Sequence, residues 1–369
     1  MWRQSRSTAR TWRGWLGAAS PDDGELELLR AALVPGVEAH AAWMRWRATH
    51  ALDRAPSRSN EILSALPEEV LGKDSLWLRR LRRQIWVQNQ LLLRSLGEAL
   101  VLLTEHGVPT TVVKGAALVS DVYPELGLRA MGDTDFVVGP DHFDRALDML
   151  TSDGWTLNNE WFHAADLVDA QGYETDVHRW PLFPRFTRTV ETGWRDRCVE
   201  TVIAGTLTHR LALPDELVLA VAHGLLGRPN ASLVRWPLDV AAIRAAADDA
   251  DFWTDVVRSA SEVGISPVVG AGLGFCREEL ALDVPSEVVA ELTAAKWDRW
   301  LAYQWWRRRH GSYPPMRIRR YVDLERAGGR QPTLHGYAGR RWENLRRNGL
   351  TNVTRHRLRN LCSLGVRPG

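Results

Sequence analysis

The sequence predicts an α+β protein: a small mixed β-sheet core, flanked by N-terminal helices and by a larger C-terminal helical region. Three observations carry this expectation. Residues 112–138, VVKGAALVSDVYPELGLRAMGDTDFVV, read as strand, glycine turn, helix, connector and second strand. Before them, Ser75 to His106 sets Leu76, Leu78, Leu81, Ile85, Val87, Leu91, Leu92 and Leu96 at the spacing of an amphipathic helix. From Leu211 onward the pattern is helical again, with prolines placed to open new helices. On this reading the chain divides into N-terminal helices (1–106), an α/β core (107–210), C-terminal helices (211–310) and a basic tail (311–369).

The first twenty or so residues mix Arg and Trp, and Asp22 to Ala51 is helical with an interruption at Pro35-Gly36. Arg45 and His50 have the Arg-x4-His spacing of some helical ribonuclease modules, a spacing that an arginine-rich chain also produces by chance. Asp53 to Asn60 reads as a loop, and Glu61 to Leu71 as short turns around Pro67 that Gly72 ends. Gly107-Val108-Pro109 stops the long helix.

Within the core, a strand at Thr111 to Val113 ends at Lys114-Gly115, and a helix follows over Ala116 to Tyr123. The N–H groups at such a helix start attract phosphate. Pro124 and Gly127 break that helix, and the next strand carries Asp133 and Asp135. Residues two apart in a strand share a face with Cα atoms about 6.5 Å apart, so both carboxylates reach one divalent cation. Asp141 is placed to cap a helix running to Asp153, with a short strand over Trp155 to Glu160. Trp161 to Gln171 has no clear pattern; His163, Asp166 and Asp169 read as loop residues within reach of a substrate. Tyr173 to Trp180 alternates as a strand with Glu174, Asp176 and His178 on one face. Trp180 to Arg210 reads as irregular, with a basic cluster at Arg185, Arg188, Arg195 and Arg197. Helices follow from Pro214 to Leu226, Arg235 to Ala247, Asp251 to Val263, Ser266 to Glu279 and Ser286 to Arg309.

Composition narrows the class. The apolar share of 45% and charged share of 25% are those of a globular protein with a real core. A net charge of +2 gives no global argument for nucleic acid. Cys198, Cys276 and Cys362 match neither a zinc pattern nor a disulfide framework. No apolar run approaches the roughly 20 residues of a membrane span. The basic N-terminus lacks the apolar segment of a signal peptide, so a cytoplasmic location is expected. The residues from Arg307 onward interleave many arginines with Trp, Tyr and few acids, a pattern that suits an RNA or acidic peptide partner, an anionic membrane surface, or a solvated helical tail.

Lys114-Gly115-Ala116-Ala117-Leu118, the later Tyr123-Pro124, and the run Leu128 to Val138 with its Asp133-Thr134-Asp135 resemble the uncharacterised nucleotidyltransferase-like family of the DNA polymerase β-type superfamily. Asp176-x-His178 lies where that family has an Asp-x-His strand. His223-Gly224 followed by Arg235-Trp236-x-x-Asp239 resembles its helical C-terminal half. The superfamily has Gly-Ser or Gly-Gly after the first strand, whereas here Ala116 follows Gly115, leaving Lys114 to compensate for the missing hydroxyl.

The resemblance implies that Asp133, Asp135 and Asp176 hold Mg²⁺ or Mn²⁺. It implies that Lys114 or Arg129 neutralises phosphate, that Gly115 and Ala116 cradle it, and that His178 contacts phosphate or shuttles a proton. His223, Arg235 and Asp239 are expected to face the cleft, a structural His223–Asp239 pair being the alternative. The implied reaction moves a nucleoside monophosphate from a triphosphate such as ATP to a hydroxyl or phosphate acceptor. Two other readings keep the same residues: glycosyl transfer from a nucleotide-sugar, and a catalytically idle module that binds RNA or peptide.

Overall fold

The computed structural model describes residues 16, 20–55, 57–161, 163–182, 188–227, 234–302 and 304; the arginine-rich stretch from Arg307 and Arg185 lie outside them. Helix α1 (Asp23–Leu33) starts in a capping box, Asp22 accepting the Glu25 N–H at 2.8 Å while Glu25 accepts the Asp22 N–H at 3.0 Å. Gly36, at φ +75°, turns the chain into α2 (Val37–Thr49). The loop expected over 53–60 is instead a 3-10 turn (Leu52–Arg54) and helix α3 (Ser57–Leu63). Ile62 and Leu63 are wholly buried in the same core as α1, and that burial outweighs the polar sequence ahead of them. After α4 (Glu68–Leu71) comes α5 (Ser75–Glu105), 31 residues long.

The sheet comprises β1 (Thr111–Val113), β2 (Thr134–Val137), β3 (Thr156–Glu160), β4 (Ala164–Val168), β5 (Glu174–His178), β6 (Val199–Ile203) and β7 (Thr206–Arg210). Helices α6 (Lys114–Asp121), α7 (Phe143–Ser152) and α8 (Arg188–Asp196) are set among these strands. Its seven strands run in the order β3-β4-β5-β2-β1-β7-β6, so it is larger than the sequence suggested. It is mixed: β2 pairs with β5 and β1 with β7 in parallel, and the other pairs are antiparallel.

Two segments differ from expectation and account for the added strands. The patternless 161–171 contains β4, and the irregular 180–210 contains α8 and the β6–β7 hairpin. The hairpin turns at Ala204-Gly205, with φ of +53° and +80°, a turn that normally advertises itself with Asn-Gly or Asp-Gly. Helix α7 starts at Phe143 after His142, and no side chain caps it, so Asp141 does not act as expected.

One face of the sheet packs Val112, Phe136, Val177, Ala165 and Leu167 into a core shared with α5 and α7. The other face looks toward the C-terminal helices α9 (Leu213–Leu226), α10 (Trp236–Ala246), α11 (Phe252–Val263), α12 (Ser266–Leu280) and α13 (Ser286–Ala294), with Val113 entering their core. The last expected helix stops at Ala294 rather than Arg309, and helical residues resume at 299. Among the described residues no helix is long and apolar enough to cross a membrane.

Candidate active site

Strand alternation and register build the site. Asp135 on β2 lies beside Asp176 on β5, and Asp176 lies beside Asp166 on β4. Three carboxylates therefore form a row across neighbouring strands, on the face opposite Phe136 and Val177. His178 follows Asp176 by two residues and shares that face. Ligand atoms of Asp135, Asp176 and His178 all lie within 4.8 Å of one another. Asp133 sits in a bend just ahead of β2 rather than within the strand, and is exposed.

The connector into β2 is clamped from three sides. Asn89, wholly buried in α5, donates to the carbonyls of Leu126 and Arg129, both at 2.7 Å, and accepts the Met131 N–H at 3.2 Å. Ser64 donates to the Leu128 carbonyl at 3.0 Å, and Arg235 donates to that of Ala130 at 2.8 Å. Sequence reading passed over Asn89. Its signal was a polar residue on the buried stripe Ile85, Leu92 and Leu96.

Lys114 occupies the centre of the site. It has φ +56°, a conformation that costs a residue with a Cβ, and its N–H donates to Glu216 on α9 at 2.7 Å. Its ammonium bonds to Oδ1 of Asp135. The same oxygen contacts His178 Nε2 at 2.8 Å. Burial would raise the Asp135 pKa, but Lys114 and then His178 outweigh it and hold the carboxyl well below the usual range. Asp135 is therefore ionised and can only accept, so His178 carries its proton on Nε2. Burial, and then Lys114, lower the His178 pKa, keeping the imidazole neutral.

The other two acids are pushed the opposite way. Burial and then the Asp135 charge raise Asp176 to about 8. No hydrogen bond or ion pair engages Asp176 among the described residues. Asp133 reaches solvent, but crowding by protein and then the Asp135 charge raise it to about 6. A group of acids that repel one another, one of them unpaired, fits a cation: carboxylate oxygens suit Mg²⁺ and Mn²⁺.

Other expected site residues are placed differently. Gly115 and Ala116 are buried, and the leading N–H of α6, that of Lys114, is taken by Glu216. Gly115 instead makes room for Arg129, whose Nη1 lies 2.7 Å from where a Cβ would stand. Arg129 is buried and gripped by Asp239 through Nε at 2.7 Å and Nη2 at 3.0 Å. Asp239 also accepts from Tyr123 at 2.8 Å, so it pairs with Arg129 and Tyr123 rather than with His223. Arg129 Nη1 and Glu216 Oε2 have no hydrogen-bond partner among the described residues.

His223 is half-buried on α9, and Arg235 lies just ahead of α10, 4.0 Å from Glu61. Burial and then Lys114 lower His223 to about 3, with Asp135, Arg235 and His178 also acting on it. Gly224 lets the two helices meet: a Cβ there would come within 2.4 Å of the Trp236 ring, so only glycine lets α10 seat against α9. The Arg45–His50 spacing has no such use, since Arg45 pairs with Glu27 and Glu38 and His50 stacks on Trp46. Asp169 is buried and accepts the N–H groups of Gln171 and Tyr173, shaping the turn into β5.

A family model described as an uncharacterised nucleotidyltransferase matches residues 37–281, which takes in the whole sheet and the helices from α2 to α12. No curated protein matches the chain.

Proposed function

The chain belongs to this uncharacterised nucleotidyltransferase family, and from that premise we propose that it is a metal-dependent enzyme moving a nucleoside monophosphate from a nucleoside triphosphate to a hydroxyl or phosphate acceptor. The observation that carries the reading is the pairing of Asp135 with Asp176 on adjacent parallel strands, with His178 beside them. Asp135 and Asp176, with Asp133 at the rim, would hold Mg²⁺ or Mn²⁺. Such an ion, when bound, neutralises phosphate charge and aligns the attacking and leaving oxygens.

The chain's own residues do the rest. His178 holds Asp135 in orientation through its Nε2–H. Lys114 and Arg235 supply positive charge for the triphosphate. The acceptor oxygen attacks the α-phosphorus, the bond from that phosphorus to the bridging oxygen breaks, and pyrophosphate leaves. Asp176 is the residue assigned to take the acceptor's proton.

The test is pyrophosphate release from each of the four triphosphates with Mg²⁺ or Mn²⁺, in wild type and Asp176→Asn. Release that the substitution abolishes supports the proposal. Nucleoside diphosphate release from a nucleotide-sugar would move the assignment to glycosyl transfer. The Lys114–Asp135 ion pair favours one further reading, a catalytically idle module whose acid is neutralised from within. Turnover on any nucleotide rules that out.

A further inference from the structure

We infer that Lys114 is the built-in counter-cation of this site: it holds Asp135 when no divalent ion is bound and competes with one for Oδ1 of Asp135, so it sets how tightly the site takes its metal. The inference rests on the metal reading of the acidic row proposed above. Four observations support it.

First, the ammonium sits on the same Asp135 oxygen that His178 contacts, at the middle of the candidate ligand set. Second, the root of the side chain is fixed. Lys114 is left-handed at φ +56°, and Glu216, reaching across from α9, holds its N–H at 2.7 Å. A non-glycine residue keeps that conformation only where its surroundings enforce it. Third, Asp176 and Asp133 also act on the Lys114 charge, so the one ammonium is within electrostatic reach of all three acids. Fourth, lysine occurs at only 73, 114 and 296 in an arginine-rich chain. An arginine fork would clasp the carboxylate through two bonds, whereas lysine is a single charge on a flexible stem that can let go.

The consequence is a linked exchange. A divalent ion and an ammonium repel strongly at contact distance, so they do not share Oδ1 of Asp135. When the ion takes the carboxylate, the freed ammonium needs a new anion, and the phosphates of the donor provide one. Metal and nucleotide then favour one another's binding.

The experiment is a Mn²⁺ titration of the full-length protein, followed by the electron paramagnetic resonance signal of free Mn²⁺, for wild type, Lys114→Met, Lys114→Arg and Asp176→Asn. Lys114→Met is expected to bind about tenfold tighter or better, because a repelling charge has gone. It should melt below wild type without metal and gain more from added Mn²⁺ than wild type does. Lys114→Arg should bind no tighter than wild type. Lys114→Gln replaces the methionine variant if the latter does not fold. Equal or weaker binding by the neutral variants, with wild type still binding and Asp176→Asn not, overturns the inference and leaves the metal site standing. No binding by any folded variant overturns both.

Discussion

Two buried charge clusters lie a few residues apart and are built on opposite principles. In one, Arg129 is clasped by both oxygens of Asp239, and Tyr123 adds a third bond. In the other, Asp135 is shared between Lys114 and His178, while Asp176 has no partner among the described residues and Asp133 crowds the rim. The first balances one cation against one anion, with only Arg129 Nη1 left over, and it ties the connector before β2 to α10. The second is under-compensated as the protein stands. Arrangements that stabilise a fold saturate their charges; arrangements that await a ligand do not. The difference separates the two roles more clearly than burial does, since both clusters are largely buried.

The largest break in this comparison is on activity. Asp135→Asn or Asp176→Asn should lower turnover at least about a thousandfold, or roughly 4 kcal/mol of transition-state stabilisation. Asp176→Asn should meanwhile unfold in urea no more readily than wild type, because it removes a repelled charge. Asp239→Ala should do the reverse in character. It strands a buried guanidinium, and urea denaturation should show a loss of about 3–5 kcal/mol.

Glu216 sharpens the contrast through pH. Burial raises its carboxyl to about 8 in the folded chain, from an ordinary value of 4.5. The folded state therefore binds the proton more tightly than the unfolded state. This contribution is fully present below about pH 4.5 and is lost as pH rises through 8. Wild type should lose on the order of 3 kcal/mol of stability between pH 5 and 9 from this group. Glu216→Gln keeps an acceptor for the Lys114 N–H and should flatten that slope in denaturation curves across the same range. Asn89→Ala leaves two carbonyls and an N–H unmet and should cost about 2 kcal/mol. The smallest effect is expected of Arg45→Ala on the exposed ion pairs with Glu27 and Glu38, under about 1 kcal/mol by the same measurement.

How much of this could be read from the chain follows the physics of each element. Asp135, Asp176 and His178 were legible because strand alternation is a local property, and a two-residue spacing fixes a shared face. The pairing of β2 with β5 is not local, and it alone puts the acids side by side. β4 was missed because its residues, Ala164-Ala165-Asp166-Leu167-Val168, open without β-branched or aromatic side chains. Asp166 therefore read as a loop residue rather than as the end of the acidic row. The β6–β7 hairpin was missed because Ala204 adopts a positive φ without advertising it. At the start of α6 a tertiary contact was hidden: Glu216, an acidic first-turn residue on a distant helix, takes the leading N–H. His223 and Arg235 were singled out by resemblance, and the close packing of α9 on α10 that Gly224 allows against Trp236 is a tertiary property no local pattern shows.

The most direct test of the account is anomalous diffraction at the manganese edge from crystals grown with Mn²⁺ and a non-hydrolysable triphosphate. A peak within bonding distance of carboxylate oxygens from both Asp135 and Asp176 is the predicted result. A peak elsewhere, or Lys114 still seated on Asp135 with no peak beside it, would contradict it.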